Sequence, residues 1–353
     1  MTTYNLDYTK TADLLAAYKT EAKPTTFLKD RYFPDGVNFA TDEVLVEYKK
    51  GVQKLAPFVS PEINGKIMKR EGYTASAYQP AMLQPKRALS IDVLKKKGFG
   101  EALYNQLTPE ERAVAITLED MQDMGDMITR RKEAMSAEVL QTNALIMKHY
   151  TDDNTLVETK EIAYYSGSSN PAIYTPTYKW GTTNADILGD CAAMALDLKH
   201  NSLPATDVIL GSAAANAFLS DDKILKLLDI RNVHIGSFEP AEQYPDVVFL
   251  GQLSCKGHKL NFIQYTGTYE AEDGTIKDFI DSKKVIVTAP GCGVTNYGAI
   301  TQIDYGETQF KTYVEKEVPL YEIKDQTRSV ILKSAPLVQP KNLNPYRVAT
   351  VIE

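Results

Sequence analysis

Between Leu107 and His149 the chain carries one uninterrupted stretch of helical pattern, and no other feature restricts its fold so strongly. Thr108-Pro109-Glu110-Glu111 marks the start as a capping box with proline at the first helical position. The spacing lets the Thr108 hydroxyl accept from the Glu111 N–H while the Glu111 carboxylate reaches back to the Thr108 N–H. Leu107, Val114, Met121, Ile128 and Met135 then recur every seventh residue, and Leu118, Met124, Met127, Val139 and Ile146 broaden the stripe. At 1.5 Å per residue, roughly 40 residues make a rod of about 60 Å, far longer than an ordinary globular helix. Such a rod is a coiled-coil strand, a membrane span or the backbone of an elongated subunit. Glu119, Asp120, Asp123, Asp126, Arg130, Arg131 and Lys132 carry too much charge for a membrane. The rod also stands alone among β-rich sequence, which argues against an isolated fibre. An elongated structural subunit is the reading that remains.

A chain of 353 residues with 43% hydrophobic content can bury a sizeable core, divided over two or more domains. A net charge of −7 and a pI near 5.4 argue against a dedicated nucleic-acid binder. No apolar leader segment and no apolar run of membrane length is found, so neither a signal peptide nor a span is read. Cys191, Cys255 and Cys292 are widely separated and lack CxxC spacing, as expected of reduced small hydrophobes in a cytosolic setting.

Residues 1–40 read as an arm, with a short helix at Thr11–Tyr18 and anchors at Phe27, Leu28, Tyr32 and Phe33. An arm of this kind cannot build its own core, so it lies either on a neighbour or back on its own body. Val44, Val46 and Tyr48 alternate as a strand. Phe58–Ser90 holds three prolines and few large apolar residues, and Asn64-Gly65 is a hairpin-turn signal, which predicts an extended two-stranded flap. The flap is basic at Lys66, Lys69, Arg70, Lys86 and Arg87. Thr151–Trp180 reads as hairpins. From Asp186 the pattern is α/β: helix 186–199, strand 207–210, helices 212–219 and 222–228, then strands at 247–250, 259–265 and 284–288. Asp273-Gly274 marks a hairpin over Tyr269–Ile276, and Val330-Ile331-Leu332 is a buried strand in a β-like C-terminal segment.

No constellation of an enzyme accompanies these elements. His149, His200, His234 and His258 form neither HxxH nor HExxH spacing, so no metal site is expected. Nucleophile-elbow and phosphate-loop motifs are missing. Gly291-Cys292-Gly293 lacks the third glycine of a dinucleotide fingerprint and opens no helix, which makes it a strand-exit turn. No catalytic residue and no cofactor is assigned.

The flap residues Val59-Ser60-Pro61, Gly65, Gly72, Tyr78, Pro80 and Pro85-Lys86, with Ser334-Ala335-Pro336-Leu337 near the C-terminus, resemble the lambda-type major capsid proteins of tailed bacteriophages, the capsid protein E family. The order of parts agrees along essentially the whole chain. The resemblance implies an α+β fold, the tailed-phage major capsid fold. Its parts here are an N-terminal arm (1–55), an extended E-loop (56–95) and a P-domain (96–184) with a spine helix at 108–149. An α/β A-domain (185–300) and a return to the P-domain (301–353) complete it. It also implies a major capsid protein that assembles as pentamers and hexamers into the icosahedral head shell of a tailed phage or prophage around double-stranded DNA. Separate scaffolding and portal proteins, and a decoration protein, are the implied partners. An encapsulin-like compartment and a soluble enzyme are the competing readings.

In that architecture the E-loop of one subunit lies over the spine of its neighbour. The basic residues Lys66, Lys69, Arg70, Lys86 and Arg87 would then meet the acidic first half of the long helix, at Glu110, Glu111, Glu119 and Asp123. Acids near a helix N-terminus are also favoured by the macrodipole, a purely local explanation. The hairpin acids Glu270, Glu272 and Asp273 are expected near a symmetry axis, with Lys277 and Lys283 as the nearest cations in sequence.

Overall fold

The long helix begins at Pro109 and ends at Thr142. This is the first correction, because the sequence pattern carried it to 149. Asn143 takes a left-handed φ of 55°, and its N–H bonds the Val139 carbonyl at 2.9 Å, an αL cap that satisfies one of the last open carbonyls. The chain then turns directly into the strand Ala144–Tyr150, antiparallel to Leu156–Ala163. There the period switches from 3.6 to 2. Leu145 and Met147 are buried while Ile146 and Lys148 face out, so Ile146 leaves the helical stripe.

The structure, a computed structural model, describes residues 26–41, 43–49, 73–90, 109–150, 156–230, 244–272, 274–324 and 327–353. Thr108 with its capping box, the helix expected at 11–18 and the Asn64-Gly65 turn lie outside these residues.

Two cores follow one another along the helix. Met121, Met124 and Ile128 pack on Tyr321, Val330 and Leu332 of the sheet formed by Val318–Lys324, Thr327–Lys333 and Lys86–Leu89. Further on, Met135, Val139 and Leu140 join a larger core with Phe27, Leu28, Tyr32 and Phe33. Met127, placed on the stripe by the sequence pattern, instead faces out at 47% exposure, about 100° around the helix from buried Ile128.

The α/β segment is a five-stranded sheet in the order Arg347–Thr350, Lys284–Thr288, Asp207–Leu210, His258–Tyr265, Val247–Cys255. Its central strands are apolar at successive positions because both faces are covered. Val208, Leu210, Val285 and Val287 meet the helices Ile187–His200 and Ser212–Leu219, while Ile209 and Ile286 meet the core that holds the arm and the end of the long helix. The helix expected at 212–219 runs over Ser212–Leu219, with Ala214 and Ala215 fully buried.

The C-terminal segment divides between two sheets. Pro336–Pro340 pairs with Gly293–Tyr297, whose other edge takes the arm strand Asp35–Asn38 in parallel. Arg347–Thr350 pairs instead with Lys284–Thr288. The segment 301–353 is thus not wholly a return to the layer of the long helix, since its last strand completes the α/β sheet. The base of the flap is a ladder of Val44–Lys49 and Tyr73–Tyr78.

Candidate functional site

The arm is fastened to its own body by buried charge. Its short helix, Phe27–Tyr32, has no side-chain cap of its own at Thr26. Glu133 of the long helix supplies one from outside, accepting the Leu28 and Lys29 N–H groups at 2.8 Å each and the Tyr265 hydroxyl at 2.9 Å. Burial raises the Glu133 carboxyl above its usual range, against these three bonds that pull it down. One helical turn later, Arg31 donates to the fully buried Asp207 at 2.8 Å, which also accepts from Tyr32 and Asn261.

A third anchor holds the arm strand. Asp35 accepts from Lys316 at 2.6 Å, from Lys29 at 2.9 Å and from the Tyr297 hydroxyl at 2.8 Å. Burial alone would raise the Asp35 carboxyl, but these donors hold it well below the usual carboxylate range. Beneath the same Tyr297 ring, Lys132 and Glu317 form a buried pair at 2.5 Å, with the ammonium 5.1 Å from the ring centroid. From Phe27 to Asn38 the arm therefore lies on its own subunit, while residues 1–25 lie outside the described residues.

Gly293 lets the arm close on the sheet. A Cβ there would stand 2.1 Å from the Phe33 ring and 2.7 Å from the Gln339 carbonyl. Gly291 has φ 67° and donates its N–H to the Arg31 carbonyl. The Gly-Cys-Gly run is a turn shaped by packing against the arm.

The charged residues expected to meet a neighbour are largely engaged within the chain. Arg87 bridges Asp120 at 3.0 Å and Asp123 at 3.1 Å, Lys86 pairs with Glu322 at 2.7 Å, and Glu110 with Arg328 at 2.8 Å. Burial pushes the Asp120 carboxyl up against the pull of Arg87. Glu111 and Glu119 are exposed on the same helix. Arg131 of the long helix pairs with Glu272 on the hairpin. Glu270 is exposed on the hairpin Thr268–Glu270/Ile276–Asp278. Lys66, Lys69, Arg70 and Asp273 lie outside the described residues.

The anchoring acids Glu133 and Asp207 were not singled out from sequence. The signal for Asp207 was a lone acid opening the apolar strand Asp-Val-Ile-Leu. For Glu133 it was an acid one turn below the apolar Ala137 on an inward face.

No group of three or more metal-ligating side chains is found among the described residues. Burial pushes the Cys292 thiol up to about 12 and the Cys255 thiol up to about 11, and Cys191 is raised well above its usual value, so none is a thiolate nucleophile near neutral pH. The ribbon Ile300–Ile303/Phe310–Tyr313 exposes apolar side chains: Ile303 and Phe310 sit directly opposite each other at 42% and 76% exposure.

The family described as phage major capsid protein E matches residues 10–351. The major capsid protein of Escherichia phage lambda is 24% identical over 302 residues, covering 83% of this chain and 84% of that protein. That of Enterobacteria phage phi80 is 24% identical over 336 residues, covering 93% and 94%. A crystal structure of a prophage capsid protein of Escherichia coli CFT073 superposes with a TM-score of 0.66 at 19% identity, covering 97% of this chain and 99% of the other. The fold is that of the tailed-phage capsid proteins. The match over nearly the whole length makes the chain a member of the phage major capsid protein E family, a homo-oligomeric structural subunit of a virion head shell and not an enzyme.

Proposed function

We propose that copies of this chain close, as pentamers and hexamers, into an icosahedral shell around double-stranded DNA. A separate scaffolding protein, a portal and a decoration protein are its partners, and the subunit waits in the host cytoplasm before assembly. The observation that carries this reading is the match to the capsid family over residues 10–351. The cis-anchored arm supports it, because a subunit braced on itself keeps one shape while many weak, repeated contacts add up to a closed shell. The net charge of −7 suits an inner wall that confines DNA without adhering to it.

Between subunits, the flap residues Lys66, Lys69 and Arg70 reach the acidic face of a neighbour's long helix, at Glu111 and Glu119. Arg87, engaged with Asp120 and Asp123 in its own chain, braces the base of the flap instead. The hairpin with Glu270, Glu272 and Asp273 faces a neighbouring copy near a symmetry axis.

Negative-stain microscopy of the purified protein tests the reading. Shells, rings or tubes are expected, and a compact monomer at high concentration would overturn it. Charge reversal at Lys66, Lys69 and Arg70 together leaves the monomer folded and makes assembly fail or depend strongly on salt. Normal shells from that triple variant would remove the flap from the contact.

A further inference from the structure

A cavity of about 200 Å³ lies where the arm helix, the long helix and the five-stranded sheet meet. Small-molecule and cofactor sites run to roughly 300–1,000 Å³, so this space is the size of a side chain. Aromatic rings form its walls. Phe27 stacks on Tyr265 at 5.8 Å and stands edge-on to Tyr244 at 5.4 Å, and Phe279 lies 6.1 Å from Tyr265. Glu133 forms the floor at 2% exposure, and Asp246 stands exposed at the rim. Three neutral donors hold Glu133, yet neither carboxylate has an ion pair among the described residues.

This is the chemistry of a cation site. Ring faces attract a cation through their quadrupole, and a buried carboxylate without a counter-charge gains from one. Lysine and arginine also carry long apolar stems that pack along such walls while the charged head keeps polar partners. We propose that the cavity receives a lysine or arginine side chain from a second copy of the chain, its stem between the rings and its charge between Glu133 and Asp246. The proposal rests on the reading of the chain as a shell subunit. The contact proposed above commits Lys66, Lys69 and Arg70 to Glu111 and Glu119, so the donor is sought among the other exposed lysines and arginines of the chain. The rival within the chain is Arg130, exposed on the same rim and paired, among the described residues, with Asp126 at 3.9 Å.

Asp246→Lys puts a cation at the rim without disturbing the core. The monomer should unfold at the wild-type denaturant midpoint, while the concentration needed for assembly rises roughly tenfold or more, a change of about 1.4 kcal/mol per contact. Each exposed lysine and arginine outside the flap is then changed to alanine alone and together with Asp246→Asn. The residue that enters the cavity shows a non-additive effect on assembly. Assembly of Asp246→Lys at the wild-type concentration overturns the proposal, as does additivity at every basic residue. Coupling of Arg130→Gln to Asp246→Asn in monomer stability makes Arg130 the occupant and also overturns it. Failure of the wild-type protein to form shells overturns the underlying reading instead.

Discussion

Asn143 joins two structural roles in one side chain. Its left-handed backbone ends the long helix, and its fully buried amide donates to Asn344 at 2.7 Å and accepts from the Tyr346 hydroxyl at 2.6 Å. Either Asn143→Gly or Asn143→Ala leaves those two partners unpaired, at a cost of about 2–4 kcal/mol. Alanine adds strain at positive φ, so Asn143→Ala should be less stable than Asn143→Gly by about 1 kcal/mol in urea unfolding of the monomer. Equal stabilities would show that the hydrogen bonds, and not the backbone, set the cost. Nearby, Glu138 accepts from the Ile146 N–H, and burial raises its carboxyl from 4.5 to about 6 against that bond. The folded state therefore holds the proton more tightly than the unfolded chain. This group's contribution is most favourable below pH 4.5, declines between 4.5 and 6, and stays unfavourable above 6. Solvent at this half-buried site limits the effect to about 1 kcal/mol. Glu138→Gln should stabilise the monomer at pH 7 and not at pH 4, and an equal effect at both pH values would contradict the assignment.

The long helix is read best by its two faces. Ile128 is 2% exposed against Tyr321, Val330 and Leu332, so Ile128→Asp places an unpaired charge in a core and should yield insoluble protein. Met127, one residue away, is 47% exposed, and Met127→Asp should leave stability within about 0.5 kcal/mol of wild type. Solubility and cooperative unfolding of the pair measure this directly. A soluble, cooperative Ile128→Asp monomer would show that the stripe faces solvent or only a partner. The helix's acidic first half is partly neutralised by Arg87 and Arg328, which tie the base of the flap and the strand Thr327–Lys333 to it. Such exposed pairs are worth about 0.2–1 kcal/mol each, so they orient these parts more than they stabilise them.

At the scale of the whole molecule, the arm, the long helix and the α/β sheet share one large core. The strands Asp207–Leu210 and Lys284–Thr288 are central in their sheet and covered on both faces. Their amides should exchange hydrogen most slowly in the monomer, near the global unfolding rate. The two-stranded ribbon Ile300–Ile303/Phe310–Tyr313 should exchange early, since a lone ribbon is marginal in water. Mass-spectrometric exchange of the monomer checks both, and a central strand that exchanges as fast as the ribbon would contradict the two-sided core. The hairpin Thr268–Asp278 should gain protection when shells form, and identical exchange in both states would leave it a solvated turn.

Sequence alone determined those features that contiguous residues encode. The apolar stripe predicted the long helix, the runs Asp-Val-Ile-Leu and Lys-Val-Ile-Val-Thr predicted strands, and the spaced flap residues pointed to the capsid fold. Periodicity is a local property, so it survives without knowledge of what the element meets. Tertiary structure decided everything that depends on which distant segments come together. The helix stops at Asn143 because Asn344 accepts from its amide there and the Tyr346 hydroxyl donates to it, two hundred positions along the chain. Arg347–Thr350 joins the α/β sheet because Lys284–Thr288 offers it an edge. Among the candidate contact residues, charge type and exposure were legible. Their partners were not, because a charge in sequence has no preferred mate until the fold sets which opposite charge lies within reach, as it does for Arg87 with Asp120 and for Arg131 with Glu272.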